Sequence, residues 1–219
     1  MGKNMYSLML MDEVVSAIDK IASANHTNRS NLVNQILADY ASLITPQKRM
    51  KDIFDNIAAL LIDDGQSLQV QSMSTDSVIC IKSALTYKYR PTIRYLVELH
   101  ADKKSLGELK VTFRTQSSTL LMEITHFLNL WMKLEEHYIH QFDIKKDIYY
   151  SLEQGRFRRT FMYPVNNSLH SNEDISNAIA FYIQMFDEIL KGYLSGVYET
   201  DRDIEYRYLD YLENGLIII

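Results

Sequence analysis

Metal binding is the first chemistry that the side chains suggest. His137 and His140 stand three residues apart in a segment with helical periodicity, and Glu136 lies beside them. That spacing allows two imidazole nitrogens to share one metal ion. The alternative is that both histidines face solvent near a helix end. The single cysteine, Cys80, excludes a multi-cysteine zinc site. We expect no metal site and no cofactor, and keep the two histidines as candidate ligands.

Anion binding is the second chemistry, because arginine recurs in segments with the two-residue period of strands. Arg90 ends one such segment, Arg94 lies near the start of the next, and Arg114 lies near the end of the one after it. Guanidinium groups are planar forks of donors that bind carboxylate or phosphate. The three arginines are therefore a candidate anionic-ligand site. The alternative is that they pair with acidic side chains across the sheet.

A predicted helix start at Asn28, Arg29 and Ser30 is the third candidate. Backbone N–H groups in the first turn of a helix have no partner within the helix, and they bind phosphate without help from a particular side chain. The alternative is an ordinary helix start that Asn28 caps and that needs no phosphate.

Catalytic patterns are absent from the sequence. It contains no combination of nucleophile, base and orienting group, no glycine-rich phosphate loop and no zinc-hydrolase motif. Ser117 and Ser118 lie in the segment TQSST, where helix capping explains them. We therefore predict that the protein is not an enzyme.

The first forty residues contain the elements that would position the N-terminal candidates. Alternation between Met5 and Leu10 predicts a short strand, and helical periodicity predicts one helix after Asp12 and another from Asn28 to Tyr40. The alternation gives the strand two faces, Tyr6, Leu8 and Leu10 on one and Met5, Ser7 and Met9 on the other. One strand and two helices cannot bury their apolar faces alone, so the pattern predicts pairing with a second chain.

Residues 1–43 contain the predicted strand followed by the helices DEVVSAIDKIA and NRSNLVNQIL. These elements and their spacing resemble the ribbon-helix-helix DNA-binding domain of the MetJ/Arc/CopG class. The resemblance implies an intertwined β-α-α dimer whose paired strands form an antiparallel ribbon in the major groove of double-stranded DNA. It also implies that the start of the second helix binds backbone phosphate. Carried over by position, the DNA-binding residues are Lys3, Met5, Ser7, Met9, Asn28, Arg29 and Ser30.

The residues facing the groove depart from the polar or basic side chains that are usual in this family. Methionine can contact thymine methyl groups but cannot form bidentate hydrogen bonds with base edges. Between Met1 and Thr45 three basic residues stand against four acidic ones, which is few for a DNA-binding domain. The alternative for Met5, Ser7 and Met9 is packing on the protein's own second domain or on another subunit.

Composition is that of an ordinary globular protein, with 47% hydrophobic and 23% charged residues among 219. The formal charge of −5 argues against indiscriminate nucleic-acid binding. No apolar run has the length of a membrane span, and the N-terminus does not have the pattern of a secretory signal. We therefore expect a cytoplasmic protein that does not bind membranes.

Residues 45–219 predict a second domain of the α+β class, a mostly antiparallel sheet packed with long helices. Segments such as KYRPTIRY and QGRFRRTF are similar to the C-terminal domain of some CopG-family proteins, a similarity that implies no particular chemistry. The predicted helices cover residues 45–62, 118–141, 171–196 and 201–213, and the predicted strands are SVICIKSALTYKYR, TIRYLVELH, GELKVTFRTQ, DIYYSLE and RFRRTFMYP.

Together these patterns predict a transcriptional regulator of the repressor type. Residues 1–44 would dimerise and bind DNA sequence-specifically, and residues 45–219 would sense an effector or oligomerise, so that the protein is a homodimer or a higher homo-oligomer. The alternative is a protein-interaction or antitoxin-like dimer. In that case the second domain binds a partner protein and DNA binding is weak or absent.

Overall fold

The computed structural model divides the chain into two compact units, Met1–Pro46 and Gln47–Ile219. No described helix is long and apolar enough to cross a membrane. The residues that the structure describes are 5–41, 43–63, 68–71, 77–86, 91–101, 105–139, 148–153, 155–163, 171–215, 217 and 219.

The chain begins with helices rather than with a strand. Helices α1 (Asp12–Ala24), α2 (Arg29–Tyr40) and α3 (Pro46–Asp63) all precede the first strand, and residues 5–11 are neither helix nor strand. The predicted strand at Met5–Leu10 is therefore wrong, and so is the ribbon-helix-helix fold inferred from it. A strand needs a neighbour for its backbone N–H and C=O groups, and no described segment of this chain pairs with residues 5–11.

Local interactions explain where the first two helices begin. Helix α1 starts after Met11, which provides no side-chain cap, and the acidic Asp12 and Glu13 lie in its first turn, where negative charge is favourable. Asp12 is thus the first helical residue, although the sequence predicts a helix that starts after it. His26 adopts a φ of 50° in the turn to α2. The predicted cap at Asn28 is confirmed, because its Oδ1 accepts a hydrogen bond from the Asn31 N–H at 2.9 Å.

The second unit contains a six-stranded antiparallel sheet with the order β1-β2-β3-β4-β6-β5. Helix α4 (Ser118–Ile139) separates β4 from β5 in the chain, and α5 (Asn172–Leu194) and α6 (Asp201–Glu213) follow the sheet. The predicted α+β class is confirmed for this unit. The strands are β1 (Gln69–Gln71), β2 (Val78–Ala84), β3 (Thr92–Leu99), β4 (Gly107–Arg114), β5 (Tyr150–Glu153) and β6 (Arg156–Phe161).

An aromatic cluster joins the sheet to the long helices. Phe186 of α5 lies with its ring centroid 6.1 Å from Tyr95 of β3, 5.8 Å from Phe157 of β6 and 5.0 Å from Trp131 of α4. All four side chains are fully buried. Burying one large apolar side chain stabilises a fold by about 1.5–3 kcal/mol, so this cluster is a main source of the unit's stability.

A buried ion pair joins β6 to α4. The Nε of Arg159 donates to Oε2 of Glu135 at 2.9 Å, and each side chain is 1% exposed. Its Nη1 donates to the main-chain oxygen of Ile219 at 2.6 Å, and its guanidinium carbon lies 4.4 Å from the ring centroid of Tyr182. Burying two charges is costly, so each depends on the other for compensation.

Replacing Arg159 with leucine should lower the free energy of unfolding by about 3–5 kcal/mol, because Glu135 is left buried without a counter-charge. Guanidinium unfolding curves measure the change. Combining Arg159→Leu with Glu135→Leu should recover much of the loss.

The matched control is Lys110→Leu, which breaks partly exposed pairs with Glu98 and Glu108 at 2.8 and 3.1 Å. We expect a loss below about 1 kcal/mol from it. Equal losses from Arg159→Leu and Lys110→Leu would contradict the structural importance of the buried pair.

Candidate functional site

The predicted groove-facing residues that the structure describes do not form a strand. Lys3 lies outside the described residues. Met5, Ser7 and Met9 lie in the extended segment before α1, and the two methionines are 98% and 102% exposed. Tyr6, on the opposite face of the predicted strand, is also 80% exposed. The two-faced arrangement expected of a strand is therefore not present in this segment.

The start of α2 is organised around an ion pair with α1. Arg29 donates from Nε and Nη2 to the two carboxylate oxygens of Asp19, at 2.7 and 2.5 Å. These hydrogen bonds lower the pKa of Asp19 and raise the pKa of Arg29. Ser30 is exposed beside them. The side chain of Arg29, at the helix start that was predicted to bind phosphate, therefore connects the two helices.

The first unit exposes most of its apolar side chains. Ala22 and Leu32 are its buried hydrophobic residues among those described. Among the residues that the structure describes, twelve of the eighteen exposed large hydrophobic ones lie in this small unit, so its apolar surface is concentrated rather than scattered. We call these twelve the N-terminal apolar surface: Met5, Tyr6, Leu8, Met9, Leu10, Met11, Ile21, Ile36, Leu37, Tyr40, Leu43 and Ile44.

The helical part of this surface is continuous along α2. Val33, Ile36, Leu37 and Tyr40 recur at the spacing of one helix face. The exposed fraction rises along that face from the partly buried Val33 to 91% at Tyr40. A helix face with this pattern normally packs against another element, and the described part of the first unit offers α2 only α1.

The sheet brings two of the three candidate arginines onto one face. Arg94 is paired in register with Thr112, and Arg114 is paired with Thr92, so the two arginines occupy diagonal positions on neighbouring strands. Arg90 lies outside the described residues. The Nε of Arg94 is shielded from solvent and has no hydrogen-bond partner.

Further cations lie on the same face of the sheet. Lys82 is directly opposite Arg94, Arg156 is opposite Thr112, and Arg158 is opposite Lys110. The sequence identified Arg156 and Arg158 as strand residues but did not assign them to the anion site, and Lys82 was missed. Strand register would have identified them, but register is set by pairing between distant segments.

The candidate metal ligands are only partly within the described residues. His137 is exposed on α4, with its ring centroid 4.7 Å from that of Tyr138, and His140 lies outside the described residues. Within the described ranges, no three His, Cys, Asp or Glu side chains lie close enough together to hold a metal ion.

The polar groups around a cavity of about 220 Å³ beside α5 bind one another. The Tyr198 hydroxyl donates to Glu188 at 2.5 Å, and Lys191 forms an ion pair with Asp187 at 2.5 Å. Burial and the Glu188 carboxylate raise the pKa of Tyr198 to about 12. The cavity wall is thus a structural network.

Comparison of the chain with models of known protein families, with curated proteins and with solved structures found no match.

Replacing Arg29 with alanine should raise the pKa of Asp19, because the carboxylate loses the hydrogen bonds that favour its charged form. NMR titration of the side-chain carboxyl carbon measures this pKa directly. Lys20→Ala is the matched control, since Lys20 is the next residue of α1 and forms no ion pair with a described residue. An Asp19 pKa that stays unchanged in the Arg29 variant would contradict the pairing.

Proposed function

We propose that the protein acts as a homodimer whose first unit forms the interface and whose second unit carries a separate binding surface. The N-terminal apolar surface is the observation that carries this proposal. A unit of 46 residues whose described part buries only the hydrophobic side chains of Ala22 and Leu32 has too small a core to be stable by itself. Association would supply the missing burial.

A second copy of the chain is the partner that best fits this surface. Specific interfaces bury on the order of 800 Å² per partner. Twelve large apolar side chains, none less than 45% exposed, offer an area of that order. Two copies related by a two-fold axis would cover the same surface on each other without requiring another protein.

The Asp19–Arg29 pair supports this arrangement. It fixes α2 against α1 through two hydrogen bonds that remain at the solvent-exposed side, where each side chain is about half exposed. The apolar face of α2 is thereby held in one orientation before association. A preorganised surface loses less conformational freedom when it binds.

A sequence-specific, DNA-binding transcriptional regulator is a second candidate, supported by the exposed start of α2. The Arg29 and Ser30 N–H groups lie in the first turn, where they have no partner within the helix, and Asn28 caps the N–H of Asn31. A homodimer would present two such starts to backbone phosphates. Occupation of Arg29 by Asp19 counts against this candidate. In such a regulator, an effector or a partner protein would bind the second unit.

Replacing Leu37 and Tyr40 together with aspartate should raise the dimer dissociation constant at least a hundredfold, because charges would enter an apolar interface. Sedimentation equilibrium across a concentration series measures the constant. The matched control is Met122→Asp, which places the same charge at a 67% exposed apolar position of α4.

The control variant should dimerise like the unmodified protein, and the unfolding transition of the second unit should be unchanged in both variants. An unmodified protein that remains monomeric at a concentration on the order of 10⁻⁴ M would contradict the dimer. A dissociation constant of that size corresponds to a binding free energy of about −5.5 kcal/mol. Equal weakening by Met122→Asp would also contradict it.

For the regulator candidate, Arg29→Ala should weaken binding to all duplex sequences alike and reduce the salt slope by about one. Fluorescence anisotropy of labelled promoter and random duplexes, titrated with KCl, measures both effects. Lys20→Ala removes a charge of the same sign from α1 and should have the smaller effect. Failure of any duplex to bind better than random DNA would reject sequence-specific regulation.

A further inference from the structure

The sheet of the second unit has one apolar face and one charged face. On β3 the side chains of Ile93, Tyr95, Val97 and Leu99 are buried, whereas Thr92, Arg94, Leu96 and Glu98 between them are partly exposed. The same alternation holds on β4. Since the helices pack on the apolar face, the side chains on the other face of β3 and β4 remain partly exposed. Besides Lys110, this face carries five cations that we call the cationic sheet face: Lys82, Arg94, Arg114, Arg156 and Arg158.

Like charges are placed next to one another on this face. Lys82 stands directly opposite Arg94, and Arg158 stands directly opposite Lys110. Directly opposed like charges destabilise a sheet. The arrangement therefore does not follow from the requirements of the sheet alone.

Acidic side chains of the same face leave these cations without partners. Glu98 and Glu108 both bind Lys110, at 2.8 and 3.1 Å. Glu153 is opposite Arg156 in register but hydrogen-bonds Ser151. None of the five cationic side chains forms an ion pair or a hydrogen bond with another residue in the described ranges. The described side chains therefore do not form the alternative arrangement, in which the arginines pair with acidic residues across the sheet.

The spread of the cations selects the shape of the ligand. Neighbouring strands lie about 4.8 Å apart, so the cations of β2, β3 and β6 span on the order of 14 Å. A single small anion can reach one or two of them. An extended chain of phosphates can reach all of them, and guanidinium groups match phosphate geometry.

One exposed aromatic side chain lies at the edge of the same face. The N–H of Tyr149 donates to Oγ1 of Thr160 at 2.8 Å, which places Tyr149 beside β6, and its side chain is 65% exposed. Ser151 lies two residues further along and is opposite Arg158. Aromatic rings next to cations stack the bases of single strands, whereas bases in a duplex are already stacked.

We propose that the cationic sheet face binds the backbone of a single-stranded nucleic acid, with Tyr149 stacking on one base. Binding depends on phosphate contacts and is only weakly dependent on sequence. The overall charge of −5 confines it to this face. This proposal is independent of the homodimer, because all its residues belong to the second unit.

The test is anisotropy of a labelled oligothymidylate of about 20 nucleotides with the full chain at several KCl concentrations. The slope of log K against log[salt] should be about −0.7 for each phosphate contacted. Arg94→Gln and Arg156→Gln should each weaken binding at least tenfold at low salt and reduce the slope by about 0.7. Arg202→Gln removes the same charge from an exposed position on α6 and should change neither value appreciably.

Tyr149→Ala should weaken binding at least fivefold without altering the salt slope, since stacking involves no counterion. Tyr206→Ala, at a 71% exposed tyrosine of α6, is its control.

Arg156 is exposed, so its variant tests the face without disturbing the core.

Several results would overturn the proposal. They are absence of binding at low salt, equal loss in the Arg202 variant, binding of duplex as tight as binding of the single strand, and displacement by polyglutamate at the same charge concentration. Retained binding in Arg94→Gln and Arg156→Gln together with loss in Arg29→Ala would assign nucleic-acid binding to the start of α2 instead.

Discussion

The constraint on which the first unit depends is the imbalance between its apolar side chains and what two helices can bury. Ala22 and Leu32 are enclosed, whereas the faces that carry Leu37, Tyr40 and the extended segment before α1 are open to solvent. The Asp19–Arg29 pair fixes the helices to each other but adds no apolar burial. Association is the physical route by which such a unit gains the missing stability.

The second unit solves the same problem within one chain. Long helices cover one face of its sheet, and the rings around Phe186 fill the space between them. Strand alternation then determines the fate of neighbouring charges. Arg159 points inward to Glu135, whereas Arg158, the preceding residue, points to the open face. Two adjacent arginines therefore differ in role, because Arg159 belongs to a structural ion pair and Arg158 is a candidate ligand-binding residue.

Periodicity in the sequence predicts much of the second unit, because its helices and strands are long and their apolar faces are buried. The capped start of α5 at Ser171 and Asp174 and the strands around β3 and β4 follow from local patterns. The neighbours of each strand do not, because β4 pairs with β6 across the intervening α4 and β5. For the same reason the alignment of Lys82 with Arg94 and Arg156 is not evident from the sequence.

The first unit is harder to predict because alternation alone does not make a strand. Residues 5–10 have the period of a strand, but the described chain supplies no neighbour for their backbone. The partner of Arg29 was also missed, since Asp19 lies ten residues earlier, across a turn whose geometry depends on the left-handed His26.

The most direct measurement of the central claim, self-association, is hydrogen exchange of the full chain over a range of protein concentrations. The account predicts that protection in residues 5–41 rises with concentration while protection in the second unit stays constant, and concentration-independent exchange in both units would contradict it.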